Sequence, residues 1–351
     1  MNRSSPGEQQ RPGITFASFQ SLGLRAACEA AQRAADAGYG SFWTAETTGP
    51  EAFATLAHIG AHVDGLDLGT GVLAVQLRTP PLAAMGAATL QEAHPDRRIL
   101  LGVGISSPVV VGRWHGAEYG DRPVARMRSY LGLTRACLTG ERVDQTDGDQ
   151  TDGDQIDGDH PIRGFRLGVR LGERRPELVL GALNERMLRL AGEAADGVLL
   201  NYLPASAVPW CVEQVRAGES AAGRPAGSCT VFAYVHVGVC DPLAARPAAR
   251  RDLFSYAVVP AYATAFARAG YAEEIEALRA AREAGDRDAA VAAMSDRMCD
   301  QIDVCGDAAH IRATVGEYRS AGVDVPVIMP LPWGEDRRRT IDDTIDAVAG
   351  A

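Results

Sequence analysis

The chain has 351 residues, 46% of them hydrophobic and 23% charged, a balance that lets a water-soluble chain bury one large core. No run of about 18 apolar residues occurs to span a membrane, and the polar start from Met1 to Pro12 lacks a signal peptide's apolar stretch, so a cytoplasmic protein is expected. The formal net charge of −10 is largely local: seven aspartates fall between Asp144 and Asp159, and without them 38 acids face 35 bases, all arginine, with no basic stripe for nucleic acid.

After a tail of residues 1–12, strand-like and helix-like segments alternate. Gly13–Phe19 (GITFASF) is β-branched and aromatic and predicts a strand; Leu22–Ala37 carries apolar residues at helical spacing and stops at Gly38. Ser41–Ala45 predicts a second strand and Glu51–Val63 a second helix. Leu66–Val75 (LDLGTGVLAV) has the near-continuous apolar character of a strand buried in a parallel sheet. A helix over Pro81–Ala93, a strand over Ile99–Val103 and a long helix over Arg122–Thr139 follow.

There the alternation breaks. Gln145–Asp159 reads QTDGD QTDGD QIDGD, a stretch too polar to bury apolar area, and predicts a solvated loop over residues 144–160. Its DGD triplets lack the spacing and closing glutamate of a calcium loop. Strands resume at Glu177–Leu180, Gly197–Leu200, Thr230–Val239 and Val323–Met329. Helices are predicted over Glu185–Ala195, Ala205–Ala217, a long region reaching Met298, Ala308–Ala321 and Asp336–Val348.

Eight strands, each followed by helical sequence, predict a (β/α)8 TIM barrel in a single domain, residues 13–351. A doubly wound open sheet is the alternative, but the first strand-to-helix turn has no GxGxxG. Chemistry in such barrels sits at the C-terminal strand ends. Here those ends carry Phe19, Glu46–Thr47, Gly71–Val72, Gly104–Ser107, Gly181–Asn184, Asn201, Cys240 and Pro330–Trp333, several of them glycines that let a flat ligand approach the backbone. The seven cysteines are scattered without a CxxC pair and no histidine forms HExxH, so neither a disulfide framework nor a metal site is expected.

AADAGYGSFWTAE (Ala34–Glu46), LGTGVLAV (Leu68–Val75), AATLQEAHPDRRILLGVG (Ala87–Gly104), AGEAADGVLLN (Ala191–Asn201) and AGVDVPV (Ala321–Val327) follow one another in an order and spacing that resembles the bacterial luciferase-like family. Within it they look most like the deazaflavin-dependent oxidoreductases that use coenzyme F420. The resemblance runs from about residue 13 to residue 348, apart from the acidic pentads. It implies a barrel whose mouth holds a flavin or deazaflavin ring against the end of the third strand, with a non-prolyl cis peptide falling at Gly71–Val72. It also implies hydride transfer between F420 and a small organic substrate, by reduction of a C=C, C=N or C=O bond or oxidation of an alcohol. An FMN-dependent monooxygenase using reduced flavin and oxygen is the alternative, and a cofactor-binding member without turnover a third reading. A homodimer fits the family.

The resemblance also distributes roles. Gly71, Val72, Gly104, Ile105 and Ser106 would face the ring, and Gly181, Ala182, Leu183 and Asn184 the cofactor phosphate at a helix start. Asn184 serves equally as a plain N-cap, and Asn201 either bonds the ring or braces its own turn. Glu46 holds the acidic place after the second strand, but Thr47 stands where relatives carry histidine, and Ser107 where sugar-phosphate dehydrogenases of this branch carry glutamate. Glu46 and His115 are therefore the candidate proton carriers, since histidine titrates near neutral pH. Phe19, Thr47, Trp114 and Trp333 are assigned to the substrate pocket. Arg163, Arg166, Arg170, Arg174 and Arg175 serve either an acidic coenzyme tail or the neighbouring aspartates. His236, in the middle of an alternating strand, reads as structural.

Overall fold

In the computed structural model, which describes residues 10–145 and 161–349, eight parallel strands close on themselves. The first part of the chain supplies β1 (Gly13–Thr15), β2 (Ser41–Thr44), β3 (Asp67–Thr70), its continuation β4 (Leu73–Ala74) and β5 (Ile99–Gly104). β6 (Val143–Gln145) and β7 (Ile162–Phe165) form a separate antiparallel pair. The second part supplies β8 (Glu177–Gly181), β9 (Gly197–Leu200), β10 (Thr230–Val239), β11 (Asp303–Gly306) and β12 (Val325–Pro330). Around the barrel the order is β1, β2, β3, β5, β8, β9, β10, β12, closed by the registers Phe232↔Val325 and Gly13↔Val327. The predicted barrel and its eight strands are therefore present.

Four local differences have physical causes. The first strand ends at Thr15, because the chain turns into a 3-10 helix (Ala17–Leu22) that tucks Phe19 edge-on against Phe16, ring centroids 5.1 Å apart. The third strand is split where the Gly71–Val72 peptide is cis, and β4 resumes alongside β5. The long helical region is five separate helices, Pro242–Ala257, Pro260–Phe266, Ala272–Glu283, Arg287–Ala292 and Asp296–Ile302, with a π turn at Ala267–Tyr271. β11 follows them unforeseen; it pairs with the upper half of β10 (His236↔Asp303), on an edge whose lower half, Thr230–Ala233, is taken by β9. Residues 146–160 of the pentad segment lie outside the described residues.

Strand alternation sorts the core. On β10, Val231, Ala233, Val235 and Val237 face the surrounding helices, while Phe232 and Tyr234 face the lumen with Leu100, Val179, Leu199, Val327 and Met329. Trp43 fills the lumen from β2, and Gly69 on the next strand makes room: a Cβ there would stand 2.6 Å from the indole. Helix Gly23–Asp36 buries only alanines (Ala26, Ala27, Ala30, Ala31, Ala34), which lets it lie close to the sheet. A second core joins the helices between β10 and β11 to Tyr202 and Trp333 at the C-terminal strand ends. Those helices cap the mouth. No helix among the described residues is long and apolar enough to cross a membrane.

Candidate active site

One wall of the mouth is backbone. Gly71 N–H donates to Thr44 O (2.7 Å), and Gly71 O accepts the Tyr234 hydroxyl (2.9 Å), which itself accepts from Thr15 Oγ1 at 3.3 Å. Thr70 Oγ1 donates to Gly102 O and accepts from Gly102 N, both at 2.8 Å, tying the bulge to β5. Val72 lies in a trough of glycines: a Cβ on Gly104 would come within 2.6 Å of its side chain and one on Gly181 within 3.2 Å. Just beyond β4, Gln76 has both amide atoms buried and unpartnered among the described residues, as is Thr44 Oγ1 at the end of β2. No sequence pattern singled out Gln76.

The strand-to-helix loop after β8 is not shaped by an N-cap. Asn184 makes no capping bond to helix Glu185–Ala194. Its amide N–H₂ donates instead to Ala261 O (3.1 Å), and its oxygen accepts from Arg268 Nη1 at 2.9 Å. Arg268 also donates to Leu183 O (2.6 Å) and stacks 3.8 Å over Trp210; partial burial lowers its pKa. The helix start thus carries a guanidinium beside its free N–H groups, a combination that attracts an anion. Arg166 and Arg175 lie elsewhere, donating to Gly140 O and Leu138 O after helix Pro123–Cys137.

The expected proton carriers sit apart from each other. Glu46 accepts from Arg78 Nη2 (2.7 Å) and from Ala52 N (3.2 Å) at the start of helix Ala52–His62, and the same guanidinium reaches Glu51 and lies over Phe53. Trp114 and His115 are exposed at the end of a π turn, Val109–Trp114, which Ser107 Oγ starts by accepting from Val110 N (3.2 Å). Thr47 is exposed, whereas Phe19, expected on the pocket wall, is fully enclosed in the core between barrel and helices. Ile105 and Ser106 are half-buried beyond β5, and Trp333 packs against the cap.

The opposite wall is titratable. His236 lies on the lumen-facing row of β10, two residues above Tyr234, with Nε2 at 2.8 Å from Asn201 Oδ1 and Nδ1 at 3.0 Å from Asp303 Oδ1. Tyr202 adopts left-handed backbone (φ 50°), a conformation costing about 1–3 kcal/mol that surrounding structure must hold. Its ring packs edge-on to His236 and stacks on Tyr256, and its hydroxyl donates to Asp252 Oδ2 at 2.7 Å. Burial pushes His236 down to about 4, holds Asp303 well above the usual carboxylate range and, with Asp303 beside it, pushes Asp252 up to about 7.

The sequence profile of the luciferase-like monooxygenases matches residues 4–325. The chain belongs to that family. This luciferase-like chain is 28% identical over 308 residues to a Mycobacterium tuberculosis protein provisionally named a coenzyme F420-dependent oxidoreductase, covering 84% of this chain and 88% of the relative. It is 26% identical over 314 residues to the 5,10-methylenetetrahydromethanopterin reductase of Methanolobus tindarius, covering 89% and 91%. Its fold superimposes with a TM-score of 0.76 on the coenzyme F420-dependent tetrahydromethanopterin reductase of Methanopyrus kandleri, at 19% identity and 98% coverage of both chains.

The sequence reading of this family member missed the second wall. Tyr234, Asp252, Tyr256, Tyr262, Arg268 and Asp303 carry no motif. The one available signal was the alternation of Phe232, Tyr234 and His236, which puts all three on one face of β10.

Proposed function

We propose that the protein transfers a hydride between coenzyme F420 and a small organic substrate, reducing a C=C, C=N or C=O bond or, in reverse, oxidising an alcohol. The observation that carries this reading is the bulge at Gly71–Val72, with the unpartnered Gln76 amide beside it and an arginine-armed helix start on the neighbouring strand end. The residues present fit a deazaflavin. Gln76 offers a free donor and a free acceptor, as the N–H and C=O edge of such a ring requires, and Gly181–Asn184 with Arg268 suits its phosphate. The names of the relatives point to the same coenzyme.

The bound coenzyme would supply the hydride, which carries both electrons. The chain's own residues do the rest. Val72 and the glycines around it present a flat, side-chain-poor face, and Tyr234 braces that face across the lumen by bonding Gly71 O. The cap of helices between β10 and β11 screens the mouth from water, which strengthens every polar contact inside. Tight placement of the two reacting carbons accounts for much of the rate such a site must reach.

Titration of the purified protein with F420 and with FMN, each followed by its own fluorescence, tests the reading. Saturable binding of F420 and reduction of a carbonyl or imine panel by reduced F420 are expected. Binding of reduced FMN with oxygen consumption, and none of F420, would replace it with a monooxygenase.

A further inference from the structure

Three titratable side chains on the wall facing the bulge, His236, Asp252 and Asp303, each present an atom within 4.8 Å of the others. They come from three elements: His236 from β10, Asp303 from the start of β11, and Asp252 from the capping helix Pro242–Ala257, one turn before Tyr256. β10 and β3 lie four places apart in the eight-strand ring and so face one another; Tyr234, two residues below His236, already spans the lumen to Gly71.

Hydrogen bonding fixes where the protons sit. Asn201 spends its amide N–H₂ on the Tyr262 hydroxyl, so its oxygen is the end that faces His236. An amide oxygen only accepts, and Nε2 therefore carries a hydrogen. A neutral imidazole then has its lone pair at Nδ1, 3.0 Å from Asp303 Oδ1. Two lone pairs cannot face each other at that distance, so one proton is shared between them and the pair is neutral as a whole. Burial keeps that proton on the carboxyl side. The second carboxyl oxygen, Asp303 Oδ2, is buried without a hydrogen-bond partner among the described residues.

Asp252 is different. It is half-buried, the one member of the cluster that is not fully enclosed, with one oxygen accepting from Tyr202. Of the three arginines of its own helix, Arg246 pairs with Asp296 and Asp300, Arg250 with Asp296, and Arg251 is exposed at the surface. The other groups around the cluster are Tyr202, Tyr256, Tyr262, Cys299 and Tyr318, all held above their ordinary pKa by burial and so uncharged near neutrality. A carboxyl desolvated among uncharged groups keeps its proton up to neutral pH and can give it away.

We propose that Asp252 is the acid–base group of this site, exchanging a proton with the substrate, and that Asp303 and His236 are positioning residues, an uncharged pair packed on Tyr202, which donates to Asp252. The proposal rests on the hydride-transfer reading above. In the reducing direction the C=X π bond breaks, carbon takes the hydride from the reduced deazaflavin, and X takes the Asp252 proton. The carboxylate left behind is reprotonated by solvent; alcohol oxidation runs the same exchange backwards.

Infrared spectra of the cofactor-free protein, titrated through neutral pH, test the proton's address without turnover. A protonated-carboxyl band titrating near pH 7 is expected in the wild type and absent in Asp252→Asn. Asp303→Asn, uncharged like the pair it replaces, should leave that midpoint in place, and a fall towards the ordinary carboxylate range overturns the neutral pair. In turnover with reduced F420, Asp252→Asn should lose about 10²–10⁴-fold in kcat together with the fall in rate as pH rises through neutrality, and Asp252→Glu should restore that alkaline limb. A band titrating near pH 7 that survives Asp252→Asn overturns the assignment; the Asp303 carboxyl, which holds its proton throughout, gives a band that does not titrate there. So does an unchanged pH profile in a variant that binds F420 normally, or a stoichiometric divalent metal lost on Asp252→Asn. Absence of F420 binding in the wild type sinks the hydride-transfer reading instead, while the infrared titration still judges the acid.

Discussion

The two walls of the mouth are built on opposite rules. Across β3, β5 and β8, recognition comes from what is missing: Gly71, Gly102, Gly104 and Gly181 carry no side chain, and the space they leave is filled by Val72 and by backbone hydrogen bonds. Across β9, β10 and β11, the same depth is packed with an imidazole, two carboxyls and three tyrosines. The first wall sets shape and has almost nothing to titrate. The second holds protons in a dry environment and depends on its partners staying in register. A flat cofactor suits the first and a polarised substrate the second, so the difference divides the labour of a hydride-transfer site.

The walls touch where Tyr234 reaches Gly71, and the largest effects are expected there. A Cβ on Gly102 would lie 1.8 Å from Thr70 O, a backbone atom that cannot move aside, so Gly102→Ala should cost more than about 3 kcal/mol or abolish folding. Gly71→Ala meets only side chains, the Tyr234 hydroxyl at 2.0 Å and Leu199 at 3.0 Å. It should still fold, with stability lowered by about 2–3 kcal/mol and cofactor affinity with it. Adding Tyr234→Phe to Gly71→Ala removes the obstructing oxygen and should recover part of both losses. Thermal melts and a cofactor titration of Gly102→Ala, Gly71→Ala, Tyr234→Phe and the double variant check this; strictly additive losses at Gly71 and Tyr234 would mean that the walls are not coupled.

A smaller effect separates the walls by pH. Asp252 sits near 7 in the fold against about 4 for an ordinary aspartate, so between those values the folded state holds a proton that the unfolded chain has released. Its contribution to stability then falls as pH rises through that window, being complete below it, while His236, held neutral by burial, works the other way. The loss across it is expected at about 1–3 kcal/mol, below the full value because Asp252 is partly open to water. Asp252→Asn should flatten the slope and leave the variant relatively more stable in mild alkali. Denaturant unfolding at several pH values measures it. An unchanged slope would place the proton elsewhere on this wall.

The contrast also explains what the amino-acid order could show. The first wall is local: LGTGVLAV and ILLGVG each contain a strand end with its glycines, so the bulge and the barrel position are legible from short segments. The second wall joins residues 201, 236, 252 and 303, and no spacing rule links them. His236 reads as structural until β11 is known to lie beside it. β11 itself is four residues after a run of helices, too short for alternation to show. Phe19 misleads for a related reason: one turn of 3-10 helix after Thr15 rotates it from the strand end into the core.

Glu46, on the glycine side, sharpens the comparison further. Its carboxylate is shared between Arg78 and the first turn of helix Ala52–His62, with both side chains about four-fifths covered. Glu46→Gln keeps the shape and removes the charge, leaving Arg78 to Glu51 alone. A loss of about 1–2 kcal/mol is expected from the weakened charge-assisted bonds. The pH profile of turnover should keep its form, because both carboxylate oxygens are engaged by Arg78. Disappearance of a limb in Glu46→Gln would return acid–base chemistry to this wall.

The smallest effect belongs to His115. It stands exposed beyond the π turn Val109–Trp114, and its backbone N–H donates to Val110 O at 3.2 Å, a bond that any residue there would keep. His115→Ala removes a solvated ring and should change stability by less than about 0.5 kcal/mol. Cofactor affinity should stay at the wild-type value, and so should the pH profile, if protons move on the far wall. A kcat loss greater than tenfold without any change in stability would show that the loop carrying Trp114 and His115 folds over the mouth during turnover. The division between a shape-setting wall and a proton-holding wall would then fail, because the glycine side would bring an acid of its own.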